Sequence, residues 1–220
     1  MTRNHIDKAL NNLKSQRKIF HSEADFQFAF AWELQKLLPN ANIRLEYCPS
    51  FAPNMHIDIY IVDDEGTYPI ELKYKTKSVT TTYDNEYYKI KDHGAQDLGR
   101  FDFLYDINRI ETVKKLDSTF KSGYAIMITN DPSYWKAPNT INTVDSAFRI
   151  HDGRTISGVL EWGDKASHGT TKGRDPFELK KQYNMHWETF SQLDISNGLF
   201  KIKLRNPKSR RFEIICFCTP

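Results

Sequence analysis

The segment HIDIYIVDDEGTYPIELKYKT, residues 56–76, decides the fold of this chain. Residues 56–63 alternate apolar and polar side chains, residues 67–75 form a second strand-like run, and a short acidic turn joins the two. Period-two alternation is typical of β-strands, and so short a turn predicts an antiparallel hairpin. In the second strand Glu71 and Lys73 lie on one face, because side chains two residues apart in a strand point the same way.

Other predicted elements flank this hairpin on both sides. Ser22 and Asp25 form a pair similar to a capping box, which predicts a helix that begins at residue 22 and ends before Pro39. The remaining elements of this part of the chain are a strand at residues 42–47, a helix at 95–116 and a fully apolar strand at 123–130. The order helix, three strands, helix, strand predicts an α/β fold in which helices cover both faces of a mixed sheet.

The whole chain, residues 1–220, is expected to form a single domain, because this length suits one hydrophobic core. Its core lies at about residues 22–130, and a short amphipathic helix precedes it at residues 3–19. Residues 131–220 are expected to form a β-rich C-terminal elaboration. Its predicted strands are TISGVLEW, LFKIKL and FEIICFC.

The composition argues against a membrane or secreted protein. No apolar run approaches the ~20 residues of a membrane span, and the basic N-terminus has no apolar segment typical of a signal peptide. The three cysteines, Cys48, Cys216 and Cys218, form neither a disulfide framework nor a zinc-binding spacing. The cytoplasm is therefore the expected compartment.

The charge of the chain permits a nucleic-acid partner without requiring one. The formal net charge is +3, and basic residues cluster at residues 14–18, 73–77 and 203–211. Such clusters bind phosphates in some proteins and are ordinary solvated faces in others. Tyrosines and lysines also interleave at residues 81–94, which predicts either base stacking with phosphate contacts or a surface loop anchored by its tyrosines.

Asp58 in the first hairpin strand is expected to meet Glu71 and Lys73 of the second. Two carboxylates held close together repel each other, and a divalent cation with oxygen ligands relieves that repulsion. A lysine beside them would hold a water molecule near a phosphorus atom and offset the negative charge that develops there. The residue types therefore favour metal-assisted hydrolysis of a phosphodiester. The other interpretation is a Glu71–Lys73 salt bridge on a solvated face.

The pattern Asp58, twelve intervening residues, then Glu71-Leu72-Lys73, preceded by a helix with its own glutamate, resembles the PD-(D/E)XK nuclease superfamily. The order of elements over residues 22–130 also resembles the restriction endonuclease-like core of that superfamily. The resemblance implies that Asp58 and Glu71 are metal ligands and that Lys73 positions water. It further implies Mg²⁺ as the cofactor, with Mn²⁺ as a substitute, and DNA as the substrate. The sequence departs from the pattern at Ile57, which stands where the superfamily often has proline.

The helix glutamate that the resemblance requires has two candidates. Glu23 opens the helix, as the corresponding glutamate often does in the superfamily, and is the favoured catalytic residue and metal ligand. Glu33 is the alternative, because it lies at helical spacing from Phe26, Phe30 and Leu37, and a carboxylate inside an apolar stripe requires a partner. Weaker candidates for the site are Gln27, Glu46 and Gln96.

Two functions from different classes follow from these expectations. The first is a metal-dependent endonuclease that acts on DNA in restriction, repair, mobile-element or defence processes. The second is a catalytically inactive subunit of the same fold that binds nucleic acid or a protein partner. The resemblance leaves both a monomer and a homodimer open, since many nucleases of this kind dimerise to cut both strands.

Overall fold

The structure is a computed structural model and describes residues 1–203 of the chain. The predicted strand FEIICFC, Cys216, Cys218 and nearly all of the basic cluster at residues 203–211 lie outside the described residues. Within them, no helix is both long enough and apolar enough to cross a membrane.

The described residues contain five α-helices, one 3₁₀ turn and ten β-strands. The helices are α1 (Arg3–Gln16), α2 (Glu23–Leu37), α3 (Gln96–Leu116), α4 (Pro132–Trp135) and α5 (His168–Thr171), with a 3₁₀ turn at Ser146–Phe148. The strands are β1 (Asn42–Tyr47), β2 (Ile57–Asp63), β3 (Gly66–Lys75), β4 (Val79–Tyr83), β5 (Glu86–Ile90), β6 (Tyr124–Thr129), β7 (Thr155–Leu160), β8 (Phe177–Asn184), β9 (Trp187–Gln192) and β10 (Leu199–Lys203).

Six of the strands form one mixed sheet in the order β1-β2-β3-β6-β10-β9. Only β3 and β6 pair in parallel, and the other neighbours are antiparallel. Because α3 lies between β3 and β6 in the chain, it forms the crossover that a parallel pair requires. Two separate two-stranded antiparallel sheets, the hairpin β4–β5 and the pair β7–β8, complete the strand content of the described residues.

Helices cover the sheet on both faces. Ser22 caps α2 by accepting the N–H of Asp25, and the buried side chains Phe26, Phe30 and Leu34 then recur every four residues. These residues and α1 pack on the face of the sheet that includes Ile59, Ile70 and Leu72. The opposite face packs against α3 and its buried residues Phe103, Leu104, Ile107 and Ile110.

The α/β class with helices on both faces of a mixed sheet is confirmed, and so is the hairpin formed by β2 and β3. The turn between them depends on Asp63, whose Oδ1 accepts the N–H groups of Glu65 and Gly66. Gly66 has φ 147°, and a Cβ at that position would overlap the carbonyl oxygen of Thr119. Glycine is therefore required at Gly66.

Two parts of the chain differ from the sequence-based expectation. Residues 81–94 contain most of the β4–β5 hairpin, whose turn residues Asp84 and Asn85 both have positive φ. In the C-terminal part, β9 and β10 join the main sheet beside β6. The sheet that frames the candidate site thus extends beyond residues 22–130.

Candidate active site at the open edge of the sheet

The candidate site forms where β2 and β3 separate. The two strands pair from Asp63↔Gly66 to Ile59↔Ile70, and β3 then continues to Lys75 while paired only with β6. We call the side of residues 71–75 that faces away from β6 the open edge. Backbone N–H groups on such an edge need acceptors, because a buried unpaired N–H is costly.

Two carboxylates supply those acceptors. Asp58 Oδ2 accepts the N–H of Leu72 at 2.6 Å, and Glu23 Oε2 accepts the N–H of Tyr74 at 2.6 Å. The first carboxylate comes from the start of β2 and the second from the first residue of α2. Asp58 and Glu23 therefore both lie at the open edge, held by the N–H groups of two alternate residues of β3.

Glu71 lies on the α3 side of the sheet and is almost completely buried, with 1% of its surface exposed. Arg109 of α3 approaches it, with Nη2 at 3.1 Å from Glu71 Oε1. The same guanidinium also donates to the carbonyl oxygen of His56, just before β2. Glu71 is thus held by an arginine that sequence reasoning did not assign to the site.

Lys73 also contacts α3. Its Nζ lies 2.7 Å from Asp106 Oδ2 and donates to the carbonyl oxygen of Leu72 at 3.1 Å. Burial lowers the pKa of Lys73, but Asp106, Glu23 and Asp58 outweigh burial, and the net shift is upward. Lys73 is therefore a permanent cation with a hydrogen-bond donor at the site.

Four carboxyl groups of the site have pKa values raised above their usual range. Burial raises the pKa of Glu23 and of Asp58, and Lys73 offsets only part of that rise. The pKa of Glu71 lies well above its usual range because of burial and the neighbouring Asp106. Burial also raises the pKa of Asp106, against the influence of Lys73. These raised values indicate that the cations present do not fully compensate the buried negative charge.

Several carboxylate oxygens have no protein partner within residues 1–203. Glu71 Oε2 is buried without a hydrogen bond, and none reaches Asp58 Oδ1 or Glu23 Oε1. Hard divalent cations prefer such oxygens, so the residue types fit Mg²⁺. In the arrangement described, however, no three histidine, cysteine or carboxylate side chains of residues 1–203 surround a single metal position.

The weaker candidates divide between the open edge and more distant parts of the molecule. Gln27 is buried and donates both to Glu46 Oε1 and to the carbonyl oxygen of Asp58, each at 2.7 Å. The side chains of Gln27 and Glu46 therefore border the site. Glu33 instead accepts from Asn12 and Lys36 between α1 and α2. Gln96 donates to Asp131 at 2.9 Å, next to β6.

Sequence reasoning missed Asp106 and Arg109, the two α3 residues of the site. A signal was present, because Asp106 lies three residues after Phe103 and four before Ile110, on the buried side of α3. A carboxylate at such a position requires a partner. Arg109 follows at a spacing of three and lies 3.4 Å from Asp106.

Comparisons of the chain with protein-family models, with curated proteins and with solved structures give no match.

Proposed function

We propose that this protein is a metal-dependent nuclease that hydrolyses phosphodiester bonds in DNA. The observation that supports the proposal most is the open edge of β3, where the N–H groups of Leu72 and Tyr74 hold Asp58 and Glu23. Glu71 and Lys73 lie on the adjacent α3 side of the same strand. Three acids and a lysine at one strand end are the residue types that metal-assisted phosphodiester hydrolysis needs.

The acids would hold the metal ion, and Lys73 would act on the substrate. Asp58, Glu71 and Glu23 offer oxygens with no protein partner among the described residues. A bound Mg²⁺, or Mn²⁺ in its place, supplies Lewis acidity toward the phosphate and lowers the pKa of a bound water. Lys73 stays protonated, so it would donate a hydrogen bond to the attacking water or to a phosphate oxygen and offset developing negative charge.

Cleavage of supercoiled plasmid DNA and of single-stranded DNA, with Mg²⁺, Mn²⁺ or EDTA, tests the proposal. We expect metal-dependent cleavage that falls about 100-fold or more in Asp58→Asn, because that side chain loses its charge but keeps an acceptor for the N–H of Leu72. The matched control is Asp64→Asn, in the exposed turn between β2 and β3.

The contradicting outcomes concern activity and metal binding separately. Equal cleavage by Asp58→Asn and the unsubstituted protein, or cleavage that persists in EDTA, would refute the catalytic assignment. Mn²⁺ binding measured by calorimetry adds an independent test, because Asp58→Asn should weaken it and Asp64→Asn should not.

A second candidate function is a catalytically inactive protein of the same fold that binds nucleic acid. The ion pairs Glu71–Arg109 and Lys73–Asp106 favour it, because two of the four proposed catalytic side chains, Glu71 and Lys73, already have charged partners in α3. Binding of DNA without cleavage in either metal, together with no measurable Mn²⁺ binding, would select this function over hydrolysis.

A further inference from the structure

The β4–β5 hairpin presents one face to solvent and buries the other. Val79, Tyr88 and Ile90 belong to the hydrophobic core. The opposite face consists of alternate residues of the two strands and of the residue that follows them. These residues are Thr80, Thr82, Tyr87, Lys89 and Lys91, and all of them are exposed. Tyr87 has 60% of its surface exposed, so its ring is accessible to a ligand.

The hairpin is fixed to the end of β3 through Thr76, which is completely buried. Thr76 Oγ1 donates to the carbonyl oxygen of Lys91 at 2.8 Å, and the N–H of His93 donates to the carbonyl oxygen of Thr76 at 2.7 Å. The N–H of Thr76 in turn donates to His93 Nδ1 at 3.1 Å. The hairpin base is therefore tied to the strand that contains Glu71 and Lys73.

These contacts leave a hydrogen-bond donor on His93, with two lysines and the carboxylate of Asp92 nearby. Because His93 Nδ1 accepts from Thr76, the proton of the neutral ring lies on Nε2, which becomes a donor. Burial and the nearby Lys75 and Lys91 lower the pKa of His93 and keep the ring neutral. Two lysines and an N–H donor around one position form an arrangement suited to a phosphate oxygen.

The lysines on this face and the neighbouring Lys75 form no ion pairs in the described part of the chain. Lys75, Lys89 and Lys91 form no ion pair there, whereas Lys77 lies near Asp92 and Asp131. Lys75 is close enough to Glu23 to lower the pKa of that carboxyl group. Lysines without ion pairs therefore extend from the open edge of β3 to the hairpin, with Asp84, Glu86 and Asp92 on the same segment.

We propose that this face binds single-stranded nucleic acid, with Lys75, Lys91 and His93 on the phosphates and Tyr87 stacked on a base. The positive charge complements a phosphate backbone, and the exposed ring complements the face of a base. An unpaired strand is favoured over a duplex, because the faces of its bases are accessible to a stacking side chain. The inference rests on the proposed function only in taking nucleic acid as the partner, and it does not require cleavage.

Fluorescence anisotropy with a labelled single-stranded oligonucleotide and with its duplex, both in EDTA, tests this inference. We expect Tyr87→Ala to weaken binding of the single strand about 5- to 150-fold, the effect of losing one stacked base, and to change duplex binding little. Lys91→Ala should weaken binding and reduce the salt dependence by about 0.7 in the slope of log K against log salt. Both side chains are exposed, so neither substitution removes core packing.

Phe28→Ala is the matched control for Tyr87→Ala, because Phe28 has 61% of its surface exposed on α2. Lys180→Ala, on the exposed side of β8, is the control for Lys91→Ala. Unchanged binding in Tyr87→Ala, an equal loss in Phe28→Ala, or equal losses for single strand and duplex would overturn the inference. EDTA removes divalent metal, so binding is measured without cleavage. A protein that binds nucleic acid through the hairpin but does not cut DNA would contradict only the proposed hydrolysis.

Discussion

Replacement of Arg109 by methionine tests whether this side chain compensates the buried charge of Glu71. The two groups lie 3.1 Å apart, and the arginine side chain is 21% exposed while that of Glu71 is 1% exposed. Removal of one partner from a buried ion pair costs about 3–5 kcal/mol. Lys73 also lowers the pKa of Glu71, so we expect a loss of about 3 kcal/mol, at the lower end of that range. For a chain of this size the melting temperature should fall by about 6–12 °C.

Urea unfolding followed by circular dichroism measures this loss, and a double-mutant cycle assigns it. Glu71→Gln in the Arg109→Met background should recover part of the stability, with a coupling energy of about 2 kcal/mol between the two sites. The pH dependence has a definite sign. The folded-state pKa of Glu71 is raised, so the folded protein binds a proton that the unfolded chain has released, and stability falls as pH rises through that pKa.

The deficit of Arg109→Met should accordingly be largest above the folded-state pKa of Glu71 and shrink as pH falls below it, because a protonated Glu71 needs no cation partner. Arg44→Met is the control, because Arg44 is exposed on the edge strand β1 and should change stability by less than about 0.5 kcal/mol. A coupling energy below about 0.5 kcal/mol between Glu71 and Arg109, or a deficit independent of pH, would refute the reasoning.

Two further predictions address the helix glutamate and the β2–β3 turn. Glu23→Gln should weaken Mn²⁺ binding at least about tenfold in calorimetry. Glu33→Gln should leave Mn²⁺ binding unchanged, because the partners of Glu33 lie between α1 and α2. Equal losses of Mn²⁺ affinity in the two variants would contradict the assignment of Glu23. Gly66→Ala should cost more than about 1 kcal/mol in urea unfolding, because the added Cβ overlaps a carbonyl oxygen and φ is positive. Gly94→Ala, in open space, is its control, and an equally small change in both would contradict the steric argument.

The sequence predicted the β2–β3 hairpin well because its signal is local. Alternation fixes which side chains share a face, and the short turn fixes the pairing, so Asp58, Glu71 and Lys73 were expected near one another. The all-buried strand β6 was equally accessible, since a short continuous apolar run is typical of a strand buried on both faces. The choice of Glu23 as the helix glutamate came from the family resemblance and not from a local pattern. In the structure its side chain accepts the N–H of Tyr74.

The contacts of the site were not accessible from local patterns. Which way Asp106 and Arg109 point depends on how α3 crosses the sheet, and no periodicity in the sequence specifies that angle. The β4–β5 hairpin was missed for a different reason. Its exposed face is threonine, tyrosine and lysine, so the alternation of apolar and polar residues is weak, although the turn at Asp84 and Asn85 is of a type that favours hairpins.

The charge balance of the site bears on the choice between the two candidate functions. A purely structural network would be expected to satisfy its buried acids, yet burial leaves the pKa of Asp58, Glu23 and Glu71 raised in the presence of Lys73 and Arg109. Glu71 also retains a buried oxygen without a hydrogen bond. A divalent cation at the open edge would lower all three pKa values together, because its charge acts on each carboxylate. A metal-binding role would account for these raised pKa values and for the unpartnered oxygen of Glu71, so metal binding at the open edge is the measurement that separates the hydrolytic function from the inactive one.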